Sequence, residues 1–277
     1  MANRALLVGI NDYQSVRDLR GCLNDVTNMR NILKTYYNFT NNDIRVLTDS
    51  RATKQNILER LTWLVGKCSP DDRLVFHFSG HGSQIRDRDK DEELLDGTDE
   101  LICPYDMDWN GTFITDDNLY DVFKELPDGT LLEVILDCCH SGDGIREVGL
   151  TPPPELAPPT QIMKRFLQPP LDIECRYEGL ANEMGKRSTF RAMRGPKNSV
   201  LWAACKDYQT SADAPIKGSY NGAFTYFFCH HVREANGTID RSSLLKRIQN
   251  SLSFYRFNQI PELVCDTNWN SNNILTR

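Results

Sequence analysis

His81 and Cys139 are the two side chains whose types and surroundings could do chemistry together. His81 lies in Ser79-Gly80-His81-Gly82, and Cys139 lies in Asp137-Cys138-Cys139-His140-Ser141-Gly142. Thiolate rather than thiol attacks a carbonyl, so a cysteine nucleophile needs a base or cation nearby, and a histidine can be that base. The small residues around both let main chain and substrate approach closely, since Gly tolerates unusual turn angles. Free main-chain N–H groups at Gly82 and Cys139 could then hold a developing oxyanion, each donor being worth about 2.7–4 kcal/mol in a transition state. Taken singly, each residue has an ordinary alternative: a satisfied turn histidine, and a small buried thiol. A metal cluster at Cys138-Cys139-His140 is disfavoured, because consecutive residues on a strand point to opposite faces.

Both residues follow apolar runs of strand length, Leu74–Phe78 before His81 and Leu131–Leu136 before Cys139. Ala5–Ile10 and Ile44–Leu47 read as further buried strands, and Ser199–Ala204 as another. Between them, Val26, Met29, Ile32, Leu33 and Tyr36 recur at helical spacing, as do Ile57, Leu58, Leu61, Leu64 and Val65 behind a capping Thr53. Leu101-Ile102 is a short apolar pair, followed by a helix around Leu119–Leu126. Late helices are expected around Ala223–Val232 and Ser242–Leu252, with a loop over Cys205–Asn221 before them and a strand at Glu262–Cys265 after them. This alternation predicts an α/β fold with a mostly parallel central sheet and helices on both faces. Function in such sheets gathers at the carboxyl ends of the strands, where His81 and Cys139 fall. Their separation of 58 residues accommodates one crossover, so neighbouring strands could bring them together.

Composition narrows the class. The chain has 277 residues, 40% of them hydrophobic, enough to bury a core without disulfides or metal. A net charge of −6 argues against a broad nucleic-acid surface and against adhesion to anionic membranes. No apolar run reaches the roughly 18–20 residues of a membrane span, and Met-Ala-Asn-Arg opens no secretory leader. Nine scattered cysteines read as reduced thiols in a cytoplasmic protein. Acidity is local: residues 86–117 hold twelve acids and three bases, and the rest of the chain is net basic. Eight of the thirteen prolines lie in residues 148–197, which read either as an extended surface excursion or as a cleavable linker.

Phe78-Ser79-Gly80-His81-Gly82 with Asp137-Cys138-Cys139-His140-Ser141-Gly142 resembles the catalytic pair of the caspase-like cysteine peptidases, in their metacaspase and orthocaspase branch. Further segments agree: Ala5–Tyr13 and Leu19–Val26 resemble the amino-terminal region of that family, and Ala203–Asp213 with Gly222–Tyr226 its small-subunit portion. The resemblance implies one caspase-like domain over 1–277, with a p20-like part to about 147, the Pro-rich 148–197, and a p10-like part over 198–277. It implies Cys139 as nucleophile and His81 as general base, then acid, acting as a dyad through a thioester acyl-enzyme. It also implies an acidic S1 pocket from Cys22, Asp25, Ser79 and Asp137, and hence protein or peptide substrates with Arg or Lys at P1. Two carboxylates in a narrow cleft repel each other, and a bound guanidinium relieves that cost through its planar fork.

No cofactor is needed for this chemistry. Calcium as an activator is implied by the resemblance, with Asp99, Asp116 and Asp117 at the positions of the family's carboxylate ligands; the alternative is a solvated acidic loop. Lys164-Arg165 and Lys186-Arg187 suit the expected specificity, so the Pro-rich segment is either self-cleaved or an uncut cover over the cleft. Nucleic-acid and membrane partners are not expected, and a monomer suffices for the dyad. Two rivals stay open: a catalytically silent caspase-like scaffold or peptide-binding module, and a thiol-dependent hydrolase of small molecules, which would leave the acidic pocket unexplained.

Overall fold

Asn3–Gly9 (β1) places Ala5 and Leu7 on one face and Leu6 and Val8 on the other, all fully buried. A strand buried on both sides requires layers above and below it. The computed structural model describes residues 2–86, 98–139, 161–173, 199–206, 209–266 and 269–276. After β1 come α1 (Cys22–Tyr36), β2 (Ile44–Thr48), α2 (Lys54–Val65) and β3 (Arg73–Ser79). A polar excursion follows, with β4 (Gly82–Arg86), β5 (Thr98–Ile102), β6 (Ile114–Thr115) and α3 (Asp116–Phe123), before β7 (Leu131–Asp137). Then come β8 (Met163–Lys164), β9 (Ser199–Ala203), β10 (Ala212–Ile216) and β11 (Ser219–Gly222). The chain closes with α4 (Ala223–Glu234), α5 (Arg241–Phe254) and β12 (Glu262–Val264).

Six strands form the central sheet in the order β12-β9-β7-β3-β1-β2, parallel except for β12. On one face, Val26 and Met29 of α1, Phe224 and Phe228 of α4, and Leu244 and Ile248 of α5 pack on Ala5, Leu7, Ile135 and Trp202. On the other, Ile57 and Leu61 of α2 and Leu119 and Phe123 of α3 pack on Leu6, Val8, Phe76 and Val134. Caps set the helix starts: Thr53 accepts from the Asn56 N–H, and Thr115 forms a reciprocal box with Asn118. The α/β architecture with a mostly parallel sheet and helices on both faces is as expected.

Two details differ from the sequence expectation. The loop expected over 205–221 holds the β10–β11 hairpin, and the crossover from β3 to β7 carries a small antiparallel sheet, β4-β5-β6, besides its helix. Of the Pro-rich segment, residues 161–173 are described, and Met163–Lys164 pairs with β10. The rest of that segment, Lys186-Arg187 included, lies outside the described residues.

Candidate active site

Adjacent parallel strands β3 and β7 end in register, Ser79 beside Asp137, at the carboxyl edge of the sheet. His81 and Cys139 each follow two residues later, so the fold brings the two strand ends together as the spacing predicted. Gly82 is what lets them close up: a Cβ there would collide with the main chain of Cys139. Both His81 and Cys139 are fully buried.

His81 is fixed from three sides. Its N–H donates to the Tyr13 hydroxyl at 2.7 Å, and its ring lies against the Tyr13 ring, 5.0 Å between centroids. Its Nε2 lies 2.8 Å from the Arg17 carbonyl oxygen. A carbonyl only accepts, so the proton sits on Nε2. Nδ1 is therefore the basic nitrogen, buried and without a hydrogen-bond partner among the described residues. Burial pushes the imidazole down to about 3, which favours its neutral form. Cys139 Sγ accepts the N–H of Ser211 and lies 3.7 Å from the Ser211 carbonyl, at the start of β10.

Next to this pair, three carboxylates converge on one guanidinium. Asp25, in the first turn of α1, Asp137, at the end of β7, and Asp213, on β10, are all 0% exposed, as is Arg165. Arg165 Nη2 reaches Asp25 at 2.8 Å and Asp213 at 3.0 Å, while Nη1 reaches the Ser79 hydroxyl at 2.8 Å and Asp137 at 3.3 Å. Each acid is held by other groups as well. Asp25 accepts from the Ser79 hydroxyl at 2.7 Å and from the Gly222 N–H. Asp137 accepts from Ser211 Oγ at 2.6 Å and from both the N–H and the hydroxyl of Thr225. Asp213 accepts the N–H groups of Arg20 and Gly21, fixing the chain just before α1 from a distant strand. Cys22 begins α1 beside them, its thiol pushed up by burial.

The electrostatics follow from burial. Desolvation pushes Asp25 up to about 7, against the pull of Arg165 and with the help of Asp137. Arg165 would be lowered by burial, but Cys22 and the carboxylates of Asp137, Asp25 and Asp213 raise it well above its ordinary value. A Cβ on Gly222 would strike Asp137 and the Arg165 guanidinium, so the main chain can pass this close to the pair only as glycine.

Main-chain bonds hold the residues around Arg165 in an extended strand. Lys164 pairs with Ala212 and Met163 with Asp213, antiparallel, and the Arg165 N–H donates to the Ser211 carbonyl at 3.1 Å. The Arg165 carbonyl oxygen accepts the N–H of Gly82 at 3.0 Å and that of Cys139 at 3.3 Å. Beyond it, the Leu167 N–H donates to the Gly82 carbonyl, and Ser83 Oγ donates to the Leu167 carbonyl at 2.6 Å. Phe166 packs against Cys139 and Cys205. Residues 163–167 thus lie along the cleft as a bound peptide would, with a carbonyl on the two donors beside the thiol.

Cys22, Asp25, Ser79 and Asp137, from which the resemblance implies an S1 pocket, come together around the Arg165 guanidinium. Sequence reasoning missed Asp213, although that residue closes a segment with a recognisable pattern. It also missed the support behind Asp137, where His77 Nε2 lies 3.5 Å from the Thr225 hydroxyl that in turn donates to Asp137. The three residues at which the resemblance implies calcium ligands all lie in the crossover from β3 to β7. Asp99 lies on β5, and Asp116 and Asp117 open α3, where they favour the helix start. Among the described residues, His230, His231 and Glu234 on α4 bring three possible metal-ligand atoms within 4.8 Å of one another. No helix among the described residues is long and apolar enough to cross a membrane.

Comparison with known proteins agrees with this geometry. Residues 3–146 match the metacaspase, peptidase C14 domain. The chain is 33% identical to Metacaspase-1 of Pyricularia oryzae, over 98% of this chain and 73% of that one. It is 35% identical to Metacaspase-1 of Coccidioides immitis, over 96% of this chain and 62% of that one. Among solved structures, caspase-1 of Spodoptera frugiperda shares the fold, with a TM-score of 0.58 at 13% identity over 95% of this chain and 86% of that one. A thiol and an imidazole at adjacent strand ends, on a caspase-like sheet and within a matched domain, place this chain in the metacaspase family of cysteine-type peptidases.

Proposed function

We propose that the chain is an endopeptidase that cleaves after Arg, and less readily after Lys, using Cys139 as nucleophile and His81 as base and then acid. The observation that carries this reading is Arg165. A side chain of this very chain fills the acidic pocket with its guanidinium, and its carbonyl lies on the Gly82 and Cys139 N–H groups. Arg165 therefore stands where the P1 residue of a substrate would stand, with Arg165–Phe166 as the scissile bond.

The steps follow from the atoms present. His81 Nδ1 takes the proton of Cys139, and the sulfur attacks the P1 carbonyl carbon. The oxyanion that forms is held by the Gly82 and Cys139 N–H donors, each worth about 2.7–4 kcal/mol if it tightens in the transition state. His81 returns the proton to the departing amide nitrogen, the C–N bond breaks, and a thioester remains. Water, deprotonated by His81, then attacks the thioester and frees the acid and the thiol. The Arg17 carbonyl does the orienting work that a third carboxylate does in a triad, by keeping the proton on Nε2.

Preference for Arg over Lys follows from the fork. One planar guanidinium meets Asp25, Asp137 and Asp213 together, whereas an ammonium is a point charge with no such match. Asp at P1 would add a fourth buried anion. A silent scaffold would not need a carbonyl on both oxyanion donors, so the peptidase reading is favoured. The test is a set of fluorogenic peptides differing only at P1. Turnover of Arg above Lys with none for Asp, lost in Cys139→Ala, is the expected result; equal rates for Arg and Asp would overturn the pocket.

A further inference from the structure

Arg17 lies in the loop before α1, and its side chain is at the surface. Its guanidinium nevertheless makes two short bonds to the cleft segment. Nη2 donates to the Lys164 carbonyl at 2.6 Å and to the Phe166 carbonyl at 2.7 Å. These two carbonyls flank Arg165, one before it and one after the Arg165–Phe166 bond. A terminal guanidinium nitrogen carries two N–H groups, so each carbonyl takes one. The Phe166 carbonyl is the first main-chain acceptor beyond the bond to be cut, and Arg17 is the cationic group that meets it.

We infer that Arg17 is a specificity-determining residue that reads the substrate main chain on both sides of the scissile bond. The inference rests on the peptidase reading above and deepens it. A hydrogen bond from a guanidinium to a carbonyl is charge-assisted and stronger than a neutral one. Its partner after the scissile bond exists only in a substrate that continues as a peptide. Arg17 therefore favours internal bonds of a chain over amides whose leaving group has no carbonyl at that place. It also holds the departing residue until the C–N bond breaks, because the Lys164-side carbonyl stays with the acyl-enzyme while the Phe166-side carbonyl leaves. The Arg17 main chain has a separate task, fixing the His81 tautomer, and a side-chain substitution leaves that carbonyl in place.

Two substrates separate these roles. One is an internally quenched peptide with the sequence of residues 163–168; the other is acetyl-Met-Lys-Arg p-nitroanilide, which has the same residues before the cut and no carbonyl after it. Rates of the full-length chain are normalised to active sites titrated with an arginyl chloromethyl ketone. Arg17→Met is expected to lower kcat/KM for the peptide roughly tenfold more than for the anilide, the loss of one charge-assisted bond. Arg17→Lys, which keeps a donor and the charge, should recover part of the difference. Equal losses on both substrates would overturn the inference and make Arg17 a general support of the cleft, as would no loss on either. A wild-type chain that cleaves neither probe would overturn the peptidase reading itself, and the role of Arg17 with it.

Discussion

Arg165→Met, made in a Cys139→Ala background so that no bond is cut, removes the one cation among three buried carboxylates. Methionine keeps the length of the stem and leaves the main-chain pairing of Lys164 with Ala212 intact. The guanidinium contacts to Asp25, Asp213, Asp137 and Ser79, between 2.8 and 3.3 Å, all disappear. Removing one partner of a buried ion pair costs about 3–5 kcal/mol, because the other charge stays behind unpaired. For a chain of this size a loss of 1 kcal/mol lowers Tm by roughly 2–3 °C, so a fall of about 6–15 °C is expected. The fall should depend on pH. Asp25 already stands near 7 with Arg165 beside it, above its unfolded value of 3.8. A carboxyl raised on folding binds its proton more tightly in the native state, so stability is greatest below the unfolded value and declines as pH rises towards the folded one. Without Arg165 that folded value climbs further, and the decline continues above pH 7, where the parent has levelled off. The gap in Tm should thus widen between pH 6.5 and 8.5, and benzamidine, as a replacement guanidinium-like cation, should narrow it; at 100 times its Kd it would restore about 2.7 kcal/mol. Scanning fluorimetry at several pH values, with and without benzamidine, reads all of this. An unchanged Tm, or a gap that is the same at every pH and indifferent to benzamidine, would refute the reasoning.

The remaining expectations concern turnover. Cys139→Ala should abolish it, whereas Cys138→Ala should fold and keep much of it, because Cys138 packs into the opposite face of the sheet with Phe78 and Leu136; active-site titration checks both. Asp213→Asn should lower kcat/KM for Arg peptides about 10- to 100-fold, the loss of a charged hydrogen-bond partner of the guanidinium, and should narrow the Arg-over-Lys preference in the same assay.

Much of the site was legible because it stands on elements that sequence describes well. Leu74–Phe78 and Leu131–Leu136 are apolar runs that only a doubly covered strand needs, and their ends carry Ser79, His81, Asp137 and Cys139. Asp25 was legible as a residue of the first turn of a helix, and its burial only through the family pattern. Asp213 was hidden because β10, Ala212–Ile216, contains a buried acid and Pro215, which break the alternation that marks a strand. Its role is set by Arg20 and Gly21, nearly two hundred residues earlier, and by Arg165. Arg165 itself read as half of a basic pair, Lys164-Arg165, that suited either self-cleavage or an uncut cover. Nothing local shows that it is buried, because its three acids come from the helix after β1, from the end of β7 and from β10. The double role of Arg17 was equally unreadable, since its partners belong to a segment that lies across the cleft only in three dimensions.

The central claim is that Cys139 cuts after an arginine seated as Arg165 is seated. Intact-mass analysis of the purified full-length chain after incubation tests it directly, with Cys139→Ala as the parallel sample. The account predicts a fragment that begins at Phe166 and a matching one that ends at Arg165, formed by the wild-type chain and absent from Cys139→Ala. A wild-type chain that stays whole, or fragments whose ends lie elsewhere or appear equally in Cys139→Ala, would contradict it.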